Sequence, residues 1–302
     1  MTNPIITALL EQQICELWGK GELSLVERNY APDVIDHMPI PGQSLGRSAL
    51  VDIVADFRES IPDLAMTLHG TLACGDMGVD FWTLTGTHVE TARPVVFSGI
   101  DMIRAADGRI AEMWHVEEML QFTDQIGAAQ TAFGAPVIAL PDHGPTDTVD
   151  PGRHARLPDP ALITPREARN LAIGREHIEQ IWALGDMAAA YRLYAPEVID
   201  HNPAPGQRPG IDGIVDVLGW LREAVPDLSM TIEHYVVEGD LVADRWIMHG
   251  THTGVPLMGV AAAGKRFAIN GMDVIRIRDD GLITDVWHVE EFASLRAQIA
   301  PG

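Results

Sequence analysis

The pattern of apolar and polar positions predicts a definite order of elements in the first half of the chain. Apolar side chains recur at helical spacing from Ile5 to Trp18, and two shorter helices are predicted at Glu22–Asn29 and Ser48–Ser60. Apolar runs broken by Gly-Asp turns then predict strands, with Asp107-Gly108 as a hairpin turn. The predicted strands are Val34–His37, Ala65–Cys74, Gly78–His88, Val95–Arg104 and Arg109–Met119.

The second half of the chain predicts the same order again. Residues 127–165, which separate the two halves, are rich in Pro, Gly and Asp, and we interpret them as a linker without a core of its own. We therefore expect a first repeat at 1–126, a linker at 127–165 and a second repeat at 166–302. The second repeat is predicted to contain helices at Arg166–Ala183, Met187–Leu193 and Ile211–Ala224, and strands at Val198–His201, Ser229–Glu238, Leu241–His252, Arg266–Arg278 and Leu282–Phe292.

Residue identities show that the two halves are a duplication. The run Tyr30-Ala-Pro-Asp-Val-Ile-Asp36-His37 returns as Tyr194-Ala-Pro-Glu-Val-Ile-Asp200-His201, and 28 of the 59 positions from Tyr30 to His88 are identical in the second half. A period this long exceeds the roughly 20–50 residues of solenoid repeats, so each half is a domain. Polar residues that are present in both copies are the first candidates for function.

Composition and charge exclude several classes of partner. The formal net charge of −22 argues against binding to nucleic acid or to anionic membrane surfaces. No apolar run approaches the ~20 residues of a spanning helix, and the start of the chain lacks the basic region of a signal peptide. Cys15 and Cys74 have no counterparts in the second half, so we expect reduced thiols in a cytoplasmic protein.

Several short motifs occur in order in both halves. They are Asp-His-x-Pro-x-Pro-Gly, Pro-Asp-Leu, Gly-Asp followed by Trp and Gly-Thr-His, Gly-x-Asp-x-Ile-Arg, Asp-Gly-x-Ile, and Trp-His-Val-Glu-Glu. This series resembles the SnoaL-like polyketide cyclases, also called ester cyclases. They belong to the nuclear transport factor 2-like superfamily, together with ketosteroid isomerase and scytalone dehydratase.

The resemblance, together with helices that precede a run of strands, implies an α+β protein. We expect two tandem cone-shaped domains, each with N-terminal helices over a curled antiparallel sheet, packed as an intrachain pseudo-dimer. The resemblance further implies that the substrate is a small, apolar, oxygenated molecule such as a polyketide or terpenoid, and that no cofactor is needed. The whole chain is expected to be a monomer or a homodimer.

Two pairs of aspartates form the first candidate site. Asp36 and Asp63 are 27 positions apart, and Asp200 and Asp227 repeat that spacing. Two carboxylates in one apolar cavity push their pKa values apart, so that one can act as an acid and the other as a base. The arrangement resembles the tandem epoxide hydrolase/cyclases of the superfamily. The alternative is that Pro-Asp-Leu is a turn in which the carboxylate caps backbone N–H groups.

A second constellation pairs an aspartate with a histidine on neighbouring strands. The Asp107-Gly108 turn is expected to bring Asp101 beside His115, and Asp273 and His288 repeat this in the second copy. An aspartate that holds a histidine in one tautomer gives a base that works near neutral pH. The alternative is a buried hydrogen bond that only braces the sheet.

Other residues are expected to line the pocket. Side chains alternate along a strand, so only one of Asp36 and His37 can face the interior, and likewise only one of Asp200 and His201. None of the histidines has the local spacing of a metal site, and no nucleotide-binding loop is expected. The candidate pocket residues are His201, Trp246, His252, Met258, Trp287 and Glu290, with His37, Trp82, His88 and Trp114 in the first copy.

The second copy is expected to be the better active site. It carries eight extra residues after His252, and the loop from Thr253 to Lys265 is apolar and glycine-rich, which favours a lid over a hydrophobic ligand. We expect cofactor-independent acid–base catalysis of the cyclase, isomerase or dehydratase type. Epoxide opening by an aspartate pair and non-catalytic binding of a small molecule remain alternatives.

Overall fold

The computed structural model describes residues 3–39, 46–127 and 150–300, which form two compact units. The first unit ends within, and the second begins within, the stretch predicted as a linker. Residues 128–149 of that stretch lie outside the described part of the chain, so the linker remains a prediction there.

The first unit contains four helices and five strands among its described residues. The predicted first helix begins as α1 (Pro4–Glu11), where Asn3 caps the N-terminus, and continues as a π-helical segment, Gln12–Trp18. The other elements are α2 (Ser24–Asn29), β1 (Tyr30–Asp36), α3 (Arg47–Ser60), β2 (Ala65–Cys74), β3 (Met77–His88), β4 (Arg93–Ala106), β5 (Arg109–Glu117) and α4 (Met119–Ile126).

The second unit repeats this order. Helix α5 (Pro165–Arg175) starts at Thr164, which forms a capping box with Glu167, and it continues as a π-helical segment, Glu176–Ala183. The remaining elements are α6 (Met187–Leu193), β6 (Tyr194–Asp200), α7 (Ile211–Ala224), β7 (Ser229–Glu238), β8 (Leu241–His252), β9 (Lys265–Ile277), β10 (Ile283–Glu290) and α8 (Phe292–Ile299).

Each unit has one five-stranded sheet, in the order β1-β5-β4-β3-β2 and β6-β10-β9-β8-β7. The α+β class is confirmed, but the sheets are mixed, since β1 runs parallel to β5 and β6 runs parallel to β10. The reason is topological. Helix α3 carries the chain from β1 to the opposite edge, and three hairpins then bring β5 back beside β1 in the same direction.

Two features were not predicted by the sequence pattern. The C-terminal helices α4 and α8 follow directly after the last strand of each unit, where both predicted strands ran two residues too far. In addition, residues 151–156 lie along β7: Ile232 N donates to Pro151 O at 3.0 Å and Arg156 N donates to Glu233 O at 2.8 Å. This part of the predicted linker therefore covers the edge of the second sheet.

The π-helical segments lie at equivalent places in both units and position residues over the sheet. Ile14 and Leu17 of the first segment are buried, and Ile178 and Ile181 are buried in the second. Segments of π-helix occur frequently at functional sites. Here the two segments contain Gln13 and His177, which both reach the sheet.

Candidate active site

The candidate site of the first unit is a row of ionisable side chains across three strands. The β3–β4 register pairs Asp80 with Asp101, and the β4–β5 register pairs Asp101 with His115. Directly opposed residues of antiparallel strands point to the same face of a sheet. Gln13 of the π-helical segment donates from Nε2 to Asp101 Oδ2 at 2.8 Å, so the row lies on the face that the helices cover.

The second unit repeats the row residue for residue. Asp244 of β8 is paired with Asp273 of β9, and Asp273 is paired with His288 of β10. Asp244 has no exposed surface and Asp273 is 4% exposed, as deeply buried as Asp80 and Asp101. The predicted neighbouring positions of Asp101 and His115, and of Asp273 and His288, are therefore present in the structure.

The hydrogen bonds of the two histidines differ from the prediction. His115 Nε2 lies 3.2 Å from Asp36 Oδ1, and its Nδ1 lies 2.7 Å from Glu117 Oε1. Burial alone would lower the pKa of His115, but Glu117 and Asp36 raise it well above its usual value. Two carboxylates beside an imidazole favour its protonated form. His115 thus has Asp36 and Glu117 as hydrogen-bond partners where the sequence predicted Asp101.

His288 has the same environment. Its Nε2 lies 3.0 Å from Asp200 Oδ1 and its Nδ1 lies 2.8 Å from Glu290 Oε1. Burial opposes the charge, but Glu290 and Asp200 raise the pKa of His288 well above its usual value. Burial would likewise raise the pKa of Asp200, yet the hydrogen bond from His288 holds it below the usual value. Asp200 and Glu290 thus hold the imidazolium in place.

A chain of hydrogen bonds leads to the central aspartate of each row. In the first unit, Tyr30 Oη donates to Gln13 Oε1 at 2.7 Å, and Gln13 and the Trp82 indole both donate to Asp101 Oδ2. Burial raises the pKa of Asp101 to about 7, and the charge of Glu117 adds to the shift. Asp101 therefore gains and loses its proton close to neutral pH.

In the second unit a histidine takes the place of the glutamine. Tyr194 Oη lies 2.8 Å from His177 Nδ1, and His177 Nε2 lies 3.4 Å from Asp273 Oδ2. Trp182 Nε1 donates to Tyr194 Oη at 3.4 Å. The tyrosine proton is then directed to His177 Nδ1, which leaves the Nε2–H to face Asp273. His177 is fully buried.

The aspartate pairs predicted from the 27-residue spacing are not formed. Asp63 is exposed, and its two carboxylate oxygens accept hydrogen bonds from Thr87 N at 2.6 Å and Thr87 Oγ1 at 2.8 Å. Asp227 binds Thr251 in the same way, with both distances 2.7 Å. In each copy the Pro-Asp-Leu carboxylate thus binds the backbone N–H and hydroxyl of a threonine near the end of a strand, 24 residues further along the chain. Asp63 and Asp227 are therefore separate from the rows that Asp36 and Asp200 contact.

Four predicted pocket residues lie on the other face of the sheet. His37 stacks on Trp114 with a ring distance of 4.4 Å, and His201 stacks on Trp287 at 4.2 Å. Asp36 and Asp200 instead contact His115 and His288, as the alternation along each strand requires. The two stacked pairs therefore do not contribute to the rows.

The two tryptophans on the helix-covered face lie beside the rows. A Cβ on Gly99 would come within 2.3 Å of the Trp82 ring, and a Cβ on Gly271 within 2.1 Å of the Trp246 ring. Each glycine thus gives its tryptophan room to lie flat on β4 or β9. The Trp82 indole contacts Asp101, whereas the buried Trp246 indole N–H has no hydrogen-bond partner among the described residues.

The remaining predicted pocket residues take part in local contacts. His88 Nδ1 lies 2.9 Å from Thr91 Oγ1, and His252 Nε2 donates to the Val255 carbonyl at 2.9 Å. Met258 is half-buried, lies at a tight turn with a φ of +51°, and packs against the core of the second unit. In the same loop Leu257 is 1% exposed. The extra loop of the second copy is anchored to the core of its own unit by this side chain.

Three pairs of site residues were missed from sequence. Asp80/Asp244 and Tyr30/Tyr194 are identical in the two copies, and that identity was the signal that could have found them. Gln13/His177 differ in type, so comparison of the two copies does not reveal them. Among the residues that the structure describes, no group of three or more His, Cys, Asp or Glu side chains is arranged to hold a metal ion.

Comparison with known proteins places both copies in one family. The family model for SnoaL-like polyketide cyclase matches residues 8–126 and 173–299. None of the curated proteins compared matches the chain. Within residues 3–39, 46–127 and 150–300, no helix is long and apolar enough to cross a membrane.

Three similar solved structures each correspond to less than half of the chain. A candidate polyketide cyclase from Bacillus cereus is 24% identical, with 43% of this chain and 91% of its own covered and a TM-score of 0.40. TsrD from Streptomyces laurentii is 30% identical, with 44% and 95% covered and a TM-score of 0.40. A candidate SnoaL-like polyketide cyclase from Jannaschia sp. CCS1 is 20% identical, with 46% and 97% covered and a TM-score of 0.42.

Proposed function

Because the chain belongs to the SnoaL-like polyketide cyclase family, we propose that its second copy is a cofactor-independent acid–base catalyst for a small, apolar, oxygenated metabolite such as a polyketide or terpenoid. The observation that carries this proposal is the row Asp244–Asp273–His288, in which a buried carboxyl pair lies beside an imidazolium. Such a row contains both partners that enolate chemistry needs.

The proposed chemistry is proton transfer next to a carbonyl group. Asp273 takes a proton from the carbon next to the carbonyl, and the electron pair of that C–H bond moves onto the oxygen. The charge of His288 stabilises the resulting enolate. The enolate carbon then attacks a second carbonyl to close a ring, and the new alkoxide takes back one proton. In isomerisation the same enolate takes the proton back from Asp273 at another carbon. In dehydration it expels a β-hydroxyl group, which takes the proton from Asp273 and leaves as water.

Unsatisfied buried groups favour the second copy as the active site. In the second row, both carboxylate oxygens of Asp244 and the indole N–H of Trp246 lack hydrogen-bond partners among the described residues. In the first row the Trp82 indole donates to Asp101, and Asp80 has a side-chain hydrogen bond with Asp101. A buried polar group without a partner costs about 1–3 kcal/mol. A polar ligand that paired with these groups would recover that energy.

Deuterium exchange tests the proposal without knowledge of the natural substrate. The protein is incubated in D₂O with a panel of apolar β-diketones and polyketide-like ketones, and loss of the α-proton is followed by NMR. We expect exchange above the buffer rate, and about a 10²–10⁴-fold loss in Asp273→Asn. Asp101→Asn is the matched control in the first copy and should retain the exchange. Lack of exchange with every ketone, or full exchange in Asp273→Asn, would contradict the proposal.

One observation favours a second candidate, a protein that binds the metabolite without catalysis. Asp200 Oδ1 accepts a hydrogen bond from Asn202 N at 2.9 Å, and Oδ2 accepts one from Gln207 Nε2 at 2.8 Å, so this carboxylate is held by its surroundings. A binding protein would retain ligand affinity in the Asp273→Asn variant and would show no exchange in the wild type. Epoxide opening by Asp200 and Asp227 is not proposed, because Asp227 is bound to Thr251.

A further inference from the structure

Each row contains a carboxyl group to which the acid–base chemistry above assigns no role. Asp80 and Asp244 have no exposed surface, and in the part of the chain that the structure describes neither carboxylate accepts a hydrogen bond from an amide, hydroxyl or ring N–H group. Asp80 has a side-chain hydrogen bond only with the neighbouring Asp101. Each is the cross-strand neighbour of the central aspartate of its row. Two buried carboxylates side by side cannot both be ionised unless a cation lies between them.

The surroundings of the first pair provide little positive charge. The ionisable groups around Asp80 and Asp101 are Cys15, Tyr30, His115 and Glu117. Of these only His115 can carry a positive charge. It lowers the pKa of Asp101, but the negative charge of Glu117 has the larger, opposite effect. No Lys or Arg of residues 3–39, 46–127 and 150–300 forms an ion pair with either carboxyl group of the pair.

The second pair is surrounded in a similar way. Asp244 is near Glu179, Tyr235 and Tyr194, and Asp273 faces His177. Arg175 lies nearby, but its guanidinium pairs with Glu179, from Nε to Oε1 at 2.8 Å. The Tyr235 hydroxyl also donates to that glutamate oxygen at 2.7 Å. The negative charge of Glu179 adds to the cost of ionising Asp244.

The hydrogen bonds divide the pair into unlike members. Asp101 accepts from Gln13 and Trp82, and Asp273 faces the Nε2–H of His177, so each central aspartate is supplied with donors that favour its ionised form. Asp80 and Asp244 receive no such donor. Burial and the neighbouring aspartate hold the pKa of Asp80 and of Asp244 well above the usual value.

We propose that Asp80 and Asp244 are positioning residues, each of which forms with Asp101 or Asp273 a carboxyl pair that holds one proton. The proton resides on Asp80 or Asp244. Asp101 is left as the member that exchanges protons near neutral pH, and Asp273 occupies the equivalent place in the second row. A like-charged neighbour separates the pKa values of two carboxyl groups, which is how one site provides both an acid and a base. The inference rests on the proposed function only in so far as Asp273 acts on a substrate.

Carboxyl titration tests the pair without any substrate. The full chain is labelled with ¹³C at the aspartate carboxyl carbon and titrated by NMR, with signals assigned by single Asp→Asn substitutions. We expect one carboxyl group of each pair to stay protonated at neutral pH. In Asp80→Asn the titration of Asp101 should shift down by about one pH unit or more. Asp56→Asn, at an exposed helical position, is the control and should leave every row signal unchanged.

The reciprocal variant and the stability curve give independent readouts. Asp101→Asn should lower the pH at which Asp80 titrates, and Asp273→Asn should do the same for Asp244, so the test survives if Asp80→Asn fails to fold. The folded chain keeps protons that the unfolded chain releases above about pH 4, so wild-type stability should fall as the pH rises from there through the folded pKa values. This decline in the denaturation midpoint should be smaller in Asp244→Asn.

Ionisation of all four carboxyl groups below about pH 5, or an Asp101 titration unchanged by Asp80→Asn, would overturn the proposal. These measurements are separate from those on the proposed function. A protein whose carboxyl pairs titrate as expected but which exchanges no α-proton would refute catalysis and leave the pairs intact. Conversely, a protein that exchanges α-protons but whose carboxyl pairs share no proton would support catalysis and refute the pairs.

Discussion

The two copies build the same hydrogen-bond chain from different residues. In the first copy Tyr30 donates to the oxygen of Gln13, whose nitrogen donates to Asp101. In the second copy the order is Tyr194, His177 and Asp273. A neutral imidazole has one acceptor and one donor nitrogen, so it matches the amide of glutamine in polarity. The comparison teaches what the two copies have in common. Both keep hydrogen bonds that run from a tyrosine hydroxyl to a carboxylate, although the residue between them differs.

The copies differ in the loop after His252, where the second copy has eight extra residues. The extra loop after His252 inserts Leu257 into the core of the second unit, and the first copy has no counterpart. We expect Leu257→Ala to lower the free energy of unfolding by about 2–5 kcal/mol, the range for removing a buried leucine side chain. Chemical denaturation measures this. Val89→Ala is the matched control in the short loop of the first copy, where the side chain is 57% exposed, and it should have little effect. A tolerated Leu257→Ala would mean that the loop does not close on the core.

Where the copies are alike, equal changes should have equal effects. Gly99→Ala and Gly271→Ala each place a methyl group against the ring of a buried tryptophan, Trp82 or Trp246. We expect each to destabilise its unit by about 1–3 kcal/mol, the usual cost of overpacking a core. Tryptophan fluorescence should change as well, because the ring must move. If one of the two substitutions is neutral, the two tryptophans are not equivalently placed.

The smallest expected difference between the two copies concerns the middle residue of the hydrogen-bond chain, Gln13 or His177. His177→Gln gives the second copy the first copy's residue and should cost less than about 1 kcal/mol, since donor and acceptor remain. His177→Leu removes both and should cost about 1–3 kcal/mol. Gln13→His and Gln13→Leu are the matching variants in the first copy. Thermal denaturation of the four variants tests the ranking. Equal costs for Gln and Leu at position 177 would show that the chain does not depend on hydrogen-bond polarity.

The sequence predicts the sheets better than the site. Strands β2, β7 and β8 begin and end where the sequence predicts, because Gly-Asp turns interrupt the apolar runs at their ends. Helices α4 and α8 were missed because each has only eight residues and follows directly after the last strand. The parallel pairing of β1 with β5 depends on contacts across the whole unit, which local pattern does not contain.

Only those contacts of the site that follow from local sequence could be predicted. The Asp107-Gly108 hairpin fixes the register of β4 and β5, so the neighbouring positions of Asp101 and His115 follow from local sequence. His115 is hydrogen-bonded to Glu117, two residues away, and to Asp36. Asp36 lies on β1, 79 residues earlier in the chain, so local sequence does not reveal it as a partner. The sequence left the role of Asp63 open, because a carboxylate in a turn and a carboxylate in a pocket have the same local sequence. Only the structure shows that Asp63 binds Thr87.

The most direct test of the account is the protonation state of the two row histidines. The full chain, labelled with ¹⁵N in histidine, is titrated by NMR from about pH 5 to about pH 9, with His115→Gln and His288→Gln to assign the signals. The account predicts that both rings remain imidazolium well above about pH 6.5, the value of a free histidine. Neutral rings at neutral pH would contradict it, because His288 would then have no charge with which to stabilise an enolate.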